Sequence, residues 1–333
     1  MESVDVLVVG GGVAGLAVAS ALWEKYNVVL LEEKESLGGL AQELSCKATD
    51  RCLRCGVCRA VHLLRKAAFG VRSILGEPLK AVVWEKKGFH VATPRHEFLA
   101  RSIVLATGAV PFPVERLPQY LRGRKRRIFT GFELEKKLKS TTLDELAAFS
   151  SFAFVQCVGS RNAREKRGYC SQVCCRYALR LIENLRFRLP HALFHVYFMD
   201  LQILGDGEND LRTTASSVSL YRLMPSALAE DSSGVTVTVE ADGKVTKRRY
   251  DAVVLSVGLV PSPGTERVAE FFRLSRKDGG FLVPRPEDGV FACGTATGPK
   301  DILGTISEAE RVVSDLVGFL GGSYRGLGVP ALS

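Results

Sequence analysis

The first thirty-two residues constrain this chain more than any other stretch. Val4-Asp-Val-Leu-Val-Val9 is an apolar, β-branched run broken only by Asp5, and Gly10-Gly-Gly12-Val-Ala-Gly15 follows it directly. Such a run reads as a strand buried on both faces of a parallel sheet. A helical apolar pattern comes next, Leu16 to Trp23, and then a second strand, Asn27-Val-Val-Leu-Leu-Glu32. The glycines match G-x-G-x-x-G. Gly10 permits the tight turn, Gly12 lets a pyrophosphate approach the backbone, and Gly15 lets the helix pack on the strand. The helix N-terminus offers free N–H groups to the phosphates. Glu32, at the end of the second strand, can accept hydrogen bonds from a ribose diol. The glycines alone are a weak signal; with strand, helix and acid around them they specify a dinucleotide site.

NAD and FAD both use this fingerprint, and the later motifs favour FAD. Leu37-Gly38-Gly39 resembles the Gly-Gly continuation of two-dinucleotide-domain flavoproteins. Arg101-Ser-Ile-Val-Leu-Ala-Thr107-Gly108 resembles the strand on which their chain leaves the FAD domain, and Asp251-Ala-Val-Val-Leu-Ser-Val-Gly258 resembles the return. Gly289-Val-Phe-Ala-Cys-Gly294-Thr295 resembles their late FAD motif, although that motif usually ends in Gly-Asp. The order of these pieces implies an α/β fold of the thioredoxin-reductase type. It has a split Rossmann-type FAD domain (1–112 and 251–325), an inserted domain (113–250) and a tail (326–333).

The bulk composition agrees. With 333 residues, 46% of them hydrophobic, the chain can bury two α/β cores. No run approaches the ~18 apolar residues of a membrane span. The opening residues have no basic n-region or cleavage site, so a cytoplasmic location is expected. Net charge is +9, and Arg122-Gly-Arg-Lys-Arg-Arg127 carries much of it. That segment reads as a solvated loop, or as a contact for an acidic partner, nucleic acid or anionic lipid. No nucleic-acid motif accompanies it, and no nucleic-acid partner is expected.

In the middle region Phe152-Ala-Phe-Val-Gln-Cys157 is the expected strand, but no second glycine fingerprint follows. Four cysteines stand there instead: Cys157, Cys170, Cys174 and Cys175, spaced C-x12-C-x3-C-C. Cys157 would end the strand, and Cys170 would sit near a helix start with Cys174 one turn further on. Four thiolates suit zinc or an iron–sulfur cluster, and a position beside a flavin favours a redox centre. Nine cysteines, an odd number, in a reducing compartment point to metal or redox chemistry rather than disulfides.

These residues also carry a resemblance. Gln156-Cys-Val-Gly-Ser-Arg161, Tyr169-Cys-Ser-Gln-Val-Cys-Cys-Arg-Tyr-Ala178, Tyr197-Phe-Met-Asp200, Leu255-Ser-Val-Gly-Leu259 and Gly298-Pro-Lys300-Asp301-Ile302 resemble the A-type subunit of heterodisulfide reductase. The similarity runs from the first strand to about residue 320. It implies that Cys157, Cys170, Cys174 and Cys175 ligate a [4Fe–4S] cluster, and that Lys300, Asp301 and Ile302 lie at the FAD. Members of the methanogen type are about twice as long and carry ferredoxin segments not found here. This short form resembles the flavoprotein of the heterodisulfide-reductase-like complex of sulfur oxidisers. The resemblance implies B- and C-type subunits as partners and a homodimer. Where the longer proteins carry a lysine close to the flavin, this chain has Arg180. No C-x-x-C of the thioredoxin-reductase type occurs in the middle region, which points to substrate chemistry on partner subunits.

A second group, Cys46, Cys52, Cys55 and Cys58, reads C-x5-C-x2-C-x2-C, and its last three members are spaced as in ferredoxins. A second cluster, a zinc site or a set of free thiols all fit. Cys293 reads as a small buried residue and the five histidines as structural.

Overall fold

The computed structural model describes residues 1–85, 88–139, 144–203 and 208–321. The tail 326–333 and the last four residues of the expected FAD segment, 322–325, lie outside these. The chain forms two compact units: unit 1 is 1–42, 56–110 and 260–333, and unit 2 is 43–55 and 111–259.

Unit 1 is built on a seven-stranded sheet. Strand Glu2–Val9 pairs in parallel with Val28–Leu31 on one side and Glu97–Leu105 on the other. Arg72–Ile74 extends the first edge. The far edge of Glu97–Leu105 is shared. Its first half pairs antiparallel with Gly88–Ala92, and its last residues pair in parallel with Val290–Ala292. The pleat sends Val6, Val8, Val28 and Leu30 to one core, with helices Val13–Leu22, Val57–Gly70 and Ile302–Phe319. Leu7, Val9, Val29 and Leu31 go to a second core, which helix Pro263–Phe271 covers. Burial on both faces is why these strands are continuous apolar runs.

Unit 2 repeats the theme with five parallel strands in the order Ser219–Tyr221, Leu193–Tyr197, Ser151–Val158, Ala252–Val257, Ile128–Thr130. Phe152, Phe154, Val196 and Val254 pack with helix Cys174–Arg188 in its core. A three-stranded antiparallel sheet, Pro225–Asp231, Gly234–Ala241 and Lys244–Tyr250, completes it.

Two boundaries differ from the sequence expectation. The strand expected to begin the return to the FAD domain, 252–257, belongs to unit 2, where it pairs with Ser151–Val158 and Ile128–Thr130. A β-branched run meets the needs of either parallel sheet, so the pattern alone could not assign it. Residues 43–55, expected within 1–112, pack with unit 2 because polar side chains of that unit hold their backbone. Among the described residues no helix is long and apolar enough to cross a membrane.

Candidate functional site

In unit 1 the first strand runs straight into the glycine turn, and the Gly10 N–H donates to the Leu31 carbonyl at 2.8 Å. A Cβ on Gly15 would fall inside the van der Waals shell of the Gly10 carbonyl oxygen, so only glycine lets the helix lie this close. At Gly12 a Cβ would project into space with no atom within 4 Å. Helix Val13–Leu22 starts there with no side-chain cap and no acidic residue in its first turn. This is the geometry in which phosphate oxygens satisfy the leading N–H groups. Glu32 is buried, and its carboxylate accepts from the Gly11 N–H at 2.7 Å and the Lys34 N–H at 2.9 Å. It therefore braces the glycine turn as well as standing at the ribose end. Gly39 lies against the same turn, where a Cβ would come within 3.1 Å of the Gly12 Cα. A cleft lined by Gly10, Glu32, Glu33, Glu77, Thr107 and Arg267 runs alongside. Thr107 shares a hydroxyl contact of 2.8 Å with Thr265, and the Thr107 carbonyl accepts from Ser262. Gly108 follows with φ +73°.

The late motif closes the other side. Gly294 has φ +73°, and a Cβ there would collide with Ala14 in the first turn of the helix. The motif lacks its usual aspartate, but the structure shows a carboxylate that the sequence reading missed. Glu308, on helix Ile302–Phe319, accepts from the Gly294 N–H at 2.7 Å, the Thr297 hydroxyl at 3.0 Å and the Lys300 ammonium at 3.0 Å. Lys300 in turn donates to the carbonyls of Gly294 at 2.7 Å and Gly298 at 3.0 Å. Asp301 caps the helix by accepting from the Gly304 N–H at 2.8 Å. Lys300 and Asp301 thus shape the loop. Ile302 opens the helix and lies 3.1 Å from where a Cβ on Gly56 would stand. The only hint of Glu308 in the sequence is a carboxylate two turns into a largely apolar helix. Cys293 is fully buried, and its thiol is pushed up to about 12 by burial and then by the Glu308 charge.

Unit 2 has the same strand-to-helix step, with a different connection. Residues 159–173 join strand Ser151–Val158 to helix Cys174–Arg188, where unit 1 uses residues 10–12. Cys157, Arg161 and Gln172 adopt φ of +58°, +56° and +59°. Non-glycine residues in that region cost backbone energy and gather at functional sites. Cys174 and Cys175 open the helix. Cys170 stands four residues ahead of it in the loop, so it does not share a helical face with Cys174 as the sequence suggested. Burial pushes the Cys157, Cys174 and Cys175 thiols up, Cys175 to about 11. The charges add to this: Cys170 acts on all three, Cys157 on both helix thiols, and Cys175 on Cys174. Backbone N–H groups of Met199 and Gln202 point at the sulfurs of Cys157 and Cys175. The Gln172 N–H donates to the Cys170 sulfur at 3.3 Å. Each of the three buried thiols feels the charge of a neighbouring cysteine, yet among the described residues no three His, Cys, Asp or Glu side chains are gathered tightly enough to hold one metal ion.

The second cysteine group is divided by the unit boundary. Cys46, Cys52 and Cys55 lie in the 43–55 segment of unit 2, and Cys58 lies in the first turn of helix Val57–Gly70 in unit 1. Cys46, Cys52 and Cys58 are exposed and Cys55 half-buried. The 43–55 segment is fastened from within unit 2. Glu135, fully buried, accepts from the Ser45 N–H at 2.6 Å, the Lys47 ammonium at 2.5 Å and the Tyr177 hydroxyl at 2.5 Å. Arg180 is buried and donates to the carbonyls of Leu53 and Arg54, each at 2.8 Å. Its visible work is to hold the cysteine-bearing loop, a role no pattern in the sequence announces.

Two parallel-sheet units, one with a nucleotide cradle, define a two-domain FAD/NAD(P) Rossmann fold of the thioredoxin-reductase type. The thioredoxin reductase of T. acidophilum has this fold, with a TM-score of 0.63 over 97% of this chain and 100% of its own, at 15% identity. The family described as pyridine nucleotide-disulphide oxidoreductase matches residues 4–147. The A-type subunit of the H(2):CoB-CoM heterodisulfide,ferredoxin reductase of Methanothermobacter thermautotrophicus is 32% identical over 234 residues, 63% of this chain and 35% of its own length. The A-type subunit of the ferredoxin/F(420)H(2)-dependent CoB-CoM heterodisulfide reductase of Methanosarcina acetivorans is 28% identical over 294 residues, 82% of this chain and again 35% of its own. In sequence the chain is similar to the A-type subunits of heterodisulfide reductases. It spans about a third of the length of these relatives.

Proposed function

We propose that this chain is an FAD- and [4Fe–4S]-containing electron-transfer subunit of a heterodisulfide-reductase-like complex that oxidises sulfur compounds, with B- and C-type subunits as partners. The observation that carries this reading is the unit 2 crossing. Four cysteines occupy the strand-to-helix step where unit 1 has its glycine turn.

The residues of unit 1 fit FAD. Gly12 leaves open space, the helix start is uncapped, and Glu32 and Glu308 hold the two turns that meet at Ala14. Cys157, Cys170, Cys174 and Cys175 fit a four-iron cluster by donor chemistry, by the burial of all but Cys170 and by the N–H groups aimed at the sulfurs of Cys157, Cys170 and Cys175. FAD supplies the exchange of electron pairs and the cluster the exchange of single electrons. The chain's own part is to hold these thiolates together, since three of them resist ionisation without a cation beside them. Arg180 we place as a positioning residue for the loop of Cys52 and Cys55, which with Cys46 and Cys58 are candidates for a second cluster.

The test is anaerobic assay of iron, acid-labile sulfide and flavin in the purified chain. One flavin with about four or about eight irons and matching sulfides per chain is expected. Zinc in place of iron, or fast reduction of the flavin by NADPH in a stopped-flow trace, would overturn the reading.

A further inference from the structure

The positive charge is not spread over the molecule. Unit 2 carries 26 Lys and Arg against 18 Asp and Glu, while unit 1 carries 19 against 18. Nearly all of the chain's net +9 therefore sits on the unit with the four cysteines.

Within unit 2 part of this charge lies along the two edges of the three-stranded sheet. The Arg122–Arg127 loop lies along the edge strand Pro225–Asp231, where the Glu230 N–H donates to the Arg122 carbonyl at 2.9 Å. The Glu230 carboxylate accepts from the backbone N–H groups of Lys125, Arg126 and Arg127 at 2.9, 2.8 and 3.1 Å. One carboxylate thus orders three consecutive peptides and leaves the cationic side chains of the loop unneutralised by it. Arg127 reaches the hairpin turn through the Ser232 carbonyl at 3.4 Å, and Arg249 pairs with Asp231 in that same turn. The outer strand Lys244–Tyr250 exposes every residue except Tyr250, and Val245 is its only large apolar side chain in water. Arg124 pairs with Glu133, but no ion pair among the described residues takes up Arg122, Lys125, Lys244 or Lys247.

This sheet adjoins the cysteine crossing. Tyr120, two residues before Arg122, is buried and donates to the Pro225 carbonyl at 2.8 Å, at the start of the edge strand. Arg222, three residues before the edge strand, pairs with Asp200 at 2.9 Å, and the Asp200 carbonyl accepts from the Cys175 thiol at 3.7 Å. The edge strand Pro225–Asp231 thus links the basic loop, held at its far end, to the cysteine crossing near its start.

We propose that the Arg122–Arg127 loop and the adjoining three-stranded sheet form the docking face for a one-electron carrier protein with an acidic surface. This rests on the electron-transfer reading above. The face is charged rather than apolar, which suits a brief encounter steered by long-range attraction more than a permanent subunit contact. The interleaved carboxylates of Glu133, Glu230 and Asp231 favour a protein, whose acidic residues can be spaced around them. A phosphate backbone or lipid surface presents negative charge throughout.

The experiment is an anaerobic binding titration of the loaded chain with a plant-type ferredoxin, a small acidic one-electron carrier. A short DNA duplex and phosphatidylserine vesicles form the other arms. The ferredoxin is expected to bind about tenfold more weakly at ~300 mM than at ~50 mM salt. The triple variant R122E/K125E/R126E should weaken binding about tenfold or more, and R65E/K66E on unit 1 should leave it within about twofold. Absence of ferredoxin binding, equal binding by the triple variant, or tighter binding of duplex or vesicles overturns the proposal. Iron and flavin are assayed on the same sample. A chain without cofactors that still binds the ferredoxin counts against the functional reading and not against the face.

Discussion

At the scale of single residues, most of the polar effort inside this protein goes into holding backbone. Glu32, Glu135, Glu230 and Glu308 each accept one or more main-chain N–H groups from a distant turn. Glu135 is the most open to test, because its ion pair with Lys47 is buried on both sides. Removing one partner of such a pair leaves an uncompensated charge in the interior. Glu135→Ala should destabilise the chain by about 3–5 kcal/mol, seen as a lower urea midpoint, whereas K47M/E135L should recover most of that loss. Equal losses in the single and double variants would show that the pair is not the source. None of these four partnerships except that of Glu32 is legible in the sequence. Glu32 belongs to a short-range pattern whose spacing is fixed by one strand, one helix and a second strand. Glu135 and Ser45 are ninety positions apart, and only the folded sheet brings them together.

At the scale of elements, the same strand-to-helix step holds the glycine turn in unit 1 and the four cysteines in unit 2. In unit 1 its glycines were legible because a short turn against a packed helix admits few sequences. In unit 2 the cysteine run stood out in the sequence, but the long loop hid its placement, and Cys170 lies outside the helix. Periodicity likewise identified the run at 252–257 as a buried strand without assigning it to a sheet. The element-level prediction concerns the helix that starts at Cys174. Cys174→Ala should lose about four irons per chain and retain the flavin, read from metal analysis and the flavin absorption spectrum. Unchanged iron together with unchanged flavin would remove Cys174 from the ligand set. The same helix holds the 43–55 segment through Arg180, so Arg180→Gln should lower iron only if the second cysteine group also binds it.

For the whole molecule, the buried thiols set a pH limit on the iron-free protein. The Cys175 thiol rises from 9.0 to about 11 on folding, and those of Cys157 and Cys174 also rise. The folded chain thus holds protons that the unfolded chain releases. Their stabilising effect is complete below pH 9 and is lost as pH climbs toward 11, by on the order of 2–3 kcal/mol for Cys175 alone. A thermal midpoint of the iron-free chain that stays flat from pH 8 to 11 would contradict this burial. Iron loading should move the other way, with the loaded yield rising with pH as protons leave the sulfurs.

The connection at residues 159–173 has a last consequence, for how readily such a protein can change trade. A fifteen-residue crossing costs only roughly 1.4 kcal/mol more closing entropy than a three-residue one. The core of unit 2 draws its side chains from the strands and helices around that crossing and none from within it. The crossing can therefore change length cheaply, but it carries only Cys170 of the four cysteines. A lineage that exchanged a short nucleotide turn for this arrangement had also to place Cys157 near the end of the strand and Cys174 and Cys175 at the start of the helix.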